Sequence, residues 1–264
     1  MAGPTTAERG ERQQESSGPP LVRRLRRLRL RAVVVLAVAV LLLAAGCGWV
    51  LYGSGWLRVE HVSVSGTRVL TPAEVRDAAA VPVGAPMLSV DTGRIEARLR
   101  RKLPRIDTVD VVRAWPHGIG LKVTERTPVL VVRTSGDFVE VDGEGVRFAT
   151  VSVAPKGVPL LELSVVRSGS AAASFRRFGT DRLVREAVRV AGDLPDAVAG
   201  LTRAVRVRSY DDISLELSDG RTVAWGSSEN GRAKARTLTA LMKAAAGARH
   251  FDVSVPTAPA ASGS

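Results

Sequence analysis

Cysteine and histidine are scarce in this 264-residue chain, with one Cys and three His. A single thiol, Cys47, makes no intramolecular disulfide, so any folded part is held by packing alone. His61, His117 and His250 lie far apart, and none has a second ligand at the i+2 or i+4 spacing a metal site uses. The chain lacks a Gly-x-Ser-x-Gly elbow, a phosphate-cradling Gly-Lys-Ser/Thr loop and a Gly-x-Gly-x-x-Gly turn. Catalysis needs convergent groups, and the sequence announces none. Asp142 and Glu144 read as polar turn residues. No catalytic, metal or cofactor-binding residue is assigned, and the reading is non-enzymatic. Aromatics are only 4% of residues, which leaves Val, Leu and Ala to fill the cores.

What is abundant is positive charge, a formal +12. The arginines are scattered along strand and helix patterns, with no zinc spacing or aromatic RNA-binding signature beside them, so nucleic acid is not the expected partner. A hydrophobic content of 45% excludes wholesale disorder.

One run dominates the chain. Ala32 to Tyr52 reads AVVVLAVAVLLLAAGCGWVLY, 21 residues without a charge. At about 1.5 Å per residue a helix of that length matches the roughly 30 Å hydrocarbon core of a bilayer. Trp49 and Tyr52 stand at its trailing end, where aromatic rings favour the headgroup boundary. A cleaved signal has a shorter apolar region ending at a small-x-small site, whereas here apolarity continues through Leu51. Ala44-Ala45-Gly46-Cys47 resembles a degenerate lipobox, which keeps one alternative open: a lipid-anchored extracytoplasmic ligand- or substrate-binding protein, cleaved before Cys47. Arg23, Arg24, Arg26, Arg27, Arg29 and Arg31 crowd the N-terminal flank, while only Arg58 and Arg68 follow soon after the span. That asymmetry predicts a cytoplasmic N-terminus and extracytoplasmic C-terminal domains.

Residues 1–31 read as a disordered basic tail and 32–52 as the transmembrane helix, with Gly53-Ser54-Gly55 as a hinge. Leu57 to Ser65 has strand periodicity with one phase slip. Thr71-Pro72-Ala73-Glu74 is a capping box that opens a short helix with Val75, Ala78 and Ala79 inward. Gly84 to Val90 runs extended, and Asp91 caps a second helix carrying Ile95, Leu99 and Leu103. Strands are expected at Ile106–Trp115 and Ile119–Val123 around a Pro116-His117-Gly118 turn. The order is strand, helix, helix, strand, strand.

Further strands are expected at Val129–Val132, Phe138–Val141 and Val146–Phe148, with an extended segment from Lys156 to Leu163 and a loop from Ser168 to about Gly179. A helix follows from Asp181 to Ala191. Asp219-Gly220 joins two strands carrying Ile213, Leu215 and Leu217, then Val223 and Trp225, as a hairpin. Ser227 or Ser228 is the expected cap of a last helix with Leu238, Leu241, Met242 and Ala245 inward. A closing strand, His250–Val255, puts Phe251, Val253 and Val255 on one face, and 256–264 reads as a disordered tail.

A β-α-α-β-β order directly after a single span resembles a POTRA module. Val109-Asp110-Val111-Val112-Arg113-Ala114-Trp115-Pro116 and Glu125-Arg126-Thr127-Pro128-Val129 resemble the bacterial cell-division family FtsQ/DivIB. The likeness continues through Val141-Asp142-Gly143-Glu144-Gly145, Leu215 to Gly226 and Asp252-Val253-Ser254. It implies an α+β protein: a single transmembrane helix, a POTRA domain at 57–127, and a mainly β domain at 128–255 with a C-terminal helix and closing edge strand. It further implies a membrane-anchored scaffold at the division septum, in the plasma membrane. Partners would be FtsB/DivIC-like and FtsL-like coiled-coil proteins and other divisome membrane proteins, with no cofactor, nucleic acid or small-molecule substrate.

The family docks its coiled-coil partner after the last helix by strand addition. That role carries over to His250, Phe251, Asp252, Val253, Ser254 and Val255, with the helix surface at Lys234 and Arg236 as the next candidate. Glu125, Arg126 and Pro128 are expected at the interface of the two domains.

Overall fold

The computed structural model describes residues 21–50, 57–164 and 179–263. Helix α1 spans Leu21–Gly48, and its segment Arg31–Gly48 has a mean hydropathy of 2.4 with none of it buried against the rest of the chain. The helix begins inside the stretch assigned above to the tail, because no Pro or Gly interrupts the peptide ladder between Leu21 and Ala45. The expected disorder of the earliest residues, Leu51 and Tyr52, the Gly53-Ser54-Gly55 hinge and the loop at 168–178 lie outside the described residues.

Two cores follow. The first belongs to β1 (His61–Ser65), α2 (Pro72–Ala79), α3 (Thr92–Lys102), β2 (Ile106–Ala114) and β3 (Gly118–Glu125). The sheet order is β1-β3-β2, with β1 parallel and β2 antiparallel to β3. Thr71 and Glu74 close the capping box of α2 in both directions, and Asp91 caps α3 through the Arg94 amide. Val75, Ala79, Ile95 and Leu99 of the helices bury against Val109, Ile119 and Leu121 of the sheet. The phase slip at the first strand has a cause. Val59 is buried, but its backbone pairs with Gly84 and Ala85 rather than with β3, so β1 starts only at His61. The segment from Gly84 to Val90 contains a 3-10 turn at Met87–Ser89.

The second core is built on a nine-stranded sheet in the order β12-β11-β10-β9-β8-β7-β4-β5-β6. Its strands are β4 (Leu130–Thr134), β5 (Asp137–Val141), β6 (Arg147–Val151), β7 (Leu160–Leu163), β8 (Thr202–Ser209), β9 (Asp212–Leu217), β10 (Thr222–Gly226), β11 (His250–Asp252) and β12 (Ala260–Ser262). Helices α4 (Thr180–Asp193), α5 (Asp196–Ala199) and α6 (Gly231–Ala244) complete it. Leu183, Val184, Ala187 and Val188 of α4 and Leu238 of α6 share one cluster with Val205, Val207, Ile213, Leu215, Val223 and Trp225. Alternate residues carry ion pairs on the opposite face, Arg206 reaching Glu162 at 2.7 Å and Glu216 at 2.6 Å.

Two expectations are corrected here. Strand β8 lies at the centre of the sheet and was not anticipated, because its alternating arginines read as surface. The N-cap of α6 is Asn230 in the left-handed region, without a side-chain bond, rather than Ser227 or Ser228. Ser228 Oγ instead donates to the buried Glu186 carboxylate on α4, which ties the loop before α6 to that helix. Gly231 stands so close to Asp193 that an added Cβ would lie 1.9 Å from its Oδ2.

Candidate functional site

The sheet end nearest the C-terminus is where the family resemblance led partner binding to be expected. β11 joins β10 in parallel, with Phe251 opposite Val223, and the Val253 amide donates to the Ala224 carbonyl at 3.0 Å. Phe251 and Val253 are buried. Asp252 and Ser254 alternate to the exposed side, where Asp252 Oδ1 accepts from the Ser254 amide at 2.9 Å and its hydroxyl at 2.7 Å. Regular strand ends at Asp252, so Val255 does not continue the apolar face and is 54% exposed.

The closing strand is not the free edge of the sheet. The chain turns back after Pro256, and β12 pairs antiparallel with β11, His250 opposite Ser262 and Asp252 opposite Ala260. The tail expected to be disordered over 256–264 therefore contains the outermost strand. Its three residues are small and all exposed, so it is held by backbone pairing with no buried side chain. Thr237 Oγ1 of α6 donates to the Pro256 carbonyl at 3.2 Å, fastening the start of the return.

Arg236 is exposed on α6, but Lys234 is not a surface residue. Lys234 is 2% exposed, and its ammonium donates to the carbonyls of Trp225 at 3.0 Å and Ser227 at 2.9 Å, where β10 leaves the sheet. Burial holds its pKa below the ordinary 10.5, with the charges of Glu229 and Asp211 opposing that shift. A buried cation with no carboxylate in contact is a fold support, which removes it from the docking surface.

The second candidate is the junction between the cores. Arg126 reaches the Asp142 carboxylate, lies 3.4 Å from Asp107 and 3.6 Å from Glu144, and so ties β2 to the turn after β5. Burial acts to lower its pKa, but the bond and charge of Asp142, with Asp107 and Glu144, carry it above the ordinary value. Asp142 also accepts the amides of Glu144 and Val146 at 2.9 and 2.8 Å, so one carboxylate fixes both turn and bridge. Arg105 and Glu140 form a second, largely buried pair at 2.6 Å, with the Arg105 guanidinium over the Phe148 ring. Nothing local announces that pair, because the whole β2–β3 hairpin and β4 separate its members.

Pro128 is half-buried in the linker. Glu125 faces the other way. Its carboxylate accepts the amides of Arg68 at 2.7 Å, Val69 at 3.1 Å and Leu70 at 3.0 Å, clamping the β1–α2 loop inside the first domain. Its carboxylate is thus committed within the first domain, although the residue also lines the groove shared with Val129 and Asp142. Adjacent strand residues point to opposite sides, which gives Glu125 and Arg126 separate partners.

An apolar helix ahead of a β-α-α-β-β module and a large mixed sheet defines a membrane-anchored POTRA protein. Comparison with known proteins agrees: the family profile described as POTRA domain, FtsQ-type, matches residues 57–126. The chain is 79% identical to cell division protein FtsQ of Streptomyces collinus and 75% identical to that of Streptomyces coelicolor, each over 264 residues covering 100% of both chains. Cell division protein FtsQ of Mycolicibacterium smegmatis is 33% identical over 227 residues, covering 86% of this chain and 64% of that protein. The chain belongs to the FtsQ family of cell division proteins, and its role is that of a division scaffold. The major extracytoplasmic domain of DivIB from Geobacillus stearothermophilus superposes at 20% identity and a TM-score of 0.31, over 47% of this chain and 93% of that one, too loosely to carry an argument.

Proposed function

We propose that this scaffold recruits a division partner by backbone pairing at the β11–β12 end of its large sheet, with the N-terminus in the cytoplasm and both folded domains outside. The partner is an extended segment of an FtsB/DivIC-like coiled-coil protein, accompanied by an FtsL-like one. The arginine excess before the span supports the orientation. One observation carries the docking reading: β12 is three small exposed residues, whereas β11 beneath it is anchored by buried Phe251 and Val253. A strand with no buried side chain sits at the low-stability end of a fold and exchanges readily. An incoming segment with side chains of its own to bury replaces β12 and completes the β11 edge.

Truncation after Thr257 tests this with the full membrane-anchored chain and the partner ectodomain. Removal of β12 is expected to strengthen binding while the melting temperature stays close to the parent. Lost binding would make β12 itself the docking strand. Unchanged binding would move the site away from this edge.

A further inference from the structure

The β2–β3 turn, from Trp115 to His117, lies at a definite end of the first domain. β1 runs parallel to β3 with His61 opposite Gly118, and the amides of Glu60 and His61 both donate to the His117 carbonyl, at 2.8 and 3.3 Å. The turn is thus fastened to the residues by which the chain enters the domain. The loop after α2 is held at the same end, since the Val59 amide donates to Ala85 and the Gly84 amide to Val59. Two large apolar side chains stand in solvent there, Trp115 at 51% and Val83 at 66% exposure. Val83 lines a groove with Glu60 and His61. Neither side chain belongs to a core, and the β domain attaches at the opposite end, beyond Glu125.

The tether limits where this end can be. The described N-terminal segment ends at Val50, two residues past α1, and Leu57 opens the domain. The seven peptide links between them reach at most about 25 Å when fully extended. The entry end of the domain is therefore held close to the headgroup layer, whatever the bilayer's partner proteins do. An indole has an apolar body and one N–H donor, which is why tryptophan concentrates at that layer.

We propose that the Trp115 turn, with Val83 at the same end, rests in the headgroup region of the membrane that holds α1, and orients the POTRA domain so that the large sheet points away from the bilayer. This contact is independent of how the sheet end binds its partner, and it rests only on α1 spanning the membrane.

The test uses the full chain with Trp49→Phe and Trp56→Phe, leaving Trp115 and the fully buried Trp225, reconstituted in phosphatidylcholine–phosphatidylglycerol vesicles. Lipids brominated near the headgroup should quench its emission, and the quenching should disappear on adding Trp115→Phe. The Trp115→Phe variant should keep the parent melting curve, since half of that side chain is already in water. Equal quenching with and without Trp115 would overturn the proposal. So would emission that stays unquenched in vesicles and shifts only when a division partner is added, since that assigns the turn to a protein contact.

Discussion

Replacing Glu125 by Gln should loosen the first domain without touching its apolar core. The native carboxylate receives three amides from consecutive residues, Arg68, Val69 and Leu70, at 2.7 to 3.1 Å. A hydrogen bond to a charged group contributes about 1.5–3 kcal/mol. Three such bonds set an upper limit that two facts reduce. Arg68 and Val69 are exposed, so water replaces part of what their amides lose, and Gln keeps one acceptor oxygen. Against that, its NH2 group is turned toward a cluster of donors in a nearly buried position. The net loss expected is about 2–4 kcal/mol.

For a domain of this size each kcal/mol shifts the midpoint by roughly 4–8 °C, so a fall of roughly 8–32 °C follows for the POTRA transition. Amide hydrogen exchange locates the effect. The protons of residues 68–70 should exchange faster in Glu125→Gln under conditions where those of β3 are unchanged. Equal exchange and an unshifted midpoint would mean that the loop is held by its neighbours and that the carboxylate clamp adds nothing.

Other perturbations separate the remaining contacts. Leu99→Ala empties a fully buried site between α3 and the small sheet; it should cost about 2–5 kcal/mol, read as a lower urea midpoint for the POTRA transition alone. Gly231→Ala puts a methyl into the Asp193 carboxylate and should destabilise the α4–α6 contact by about 1–3 kcal/mol, with Asp193→Ala in the same chain restoring part of the loss. Lys234 supplies a pH signature: its folded pKa is depressed, so the unfolded chain binds more protons between that lowered value and 10.5, and its contribution to stability rises with pH through the window. The unfolding free energy of the parent relative to Lys234→Met should therefore grow across that alkaline range, and a flat difference would show that burial does not perturb the ammonium.

Much of the fold was legible because its signals are local. The Thr71–Glu74 box, the Asp91 cap and the Asp219-Gly220 hairpin each depend on residues within a few positions of one another, and each is formed as expected. Strand β8 was legible in principle. Its core positions Val205 and Val207 alternate with Arg206 and Arg208, a period of two. Arginine in such a strand looks out of place until Glu162 and Glu216 are known to stand on the neighbouring strands. Lys234 misled in the opposite direction. On a helix a lysine reads as solvent-facing, and nothing near it in sequence announces two strand-end carbonyls that need a donor.

The proposed docking edge shows why a site is harder to read than a fold. Phe251 and Val253 do face the core, as their alternation indicates, so the sequence located the strand beneath the candidate site. Whether that strand is free depends on what lies beside it, and the segment Ala260–Ser262 has neither β-branched residues nor periodicity to declare itself. It pairs because β11 presents an unfilled row of backbone groups and the return after Pro256 keeps the tail next to it. The same features that hide β12 in the sequence, small side chains and no apolar face, leave it without buried contacts in the fold. The tail therefore covers an edge that would otherwise attract any extended chain, and in the proposed reading it gives way to one that has side chains to bury.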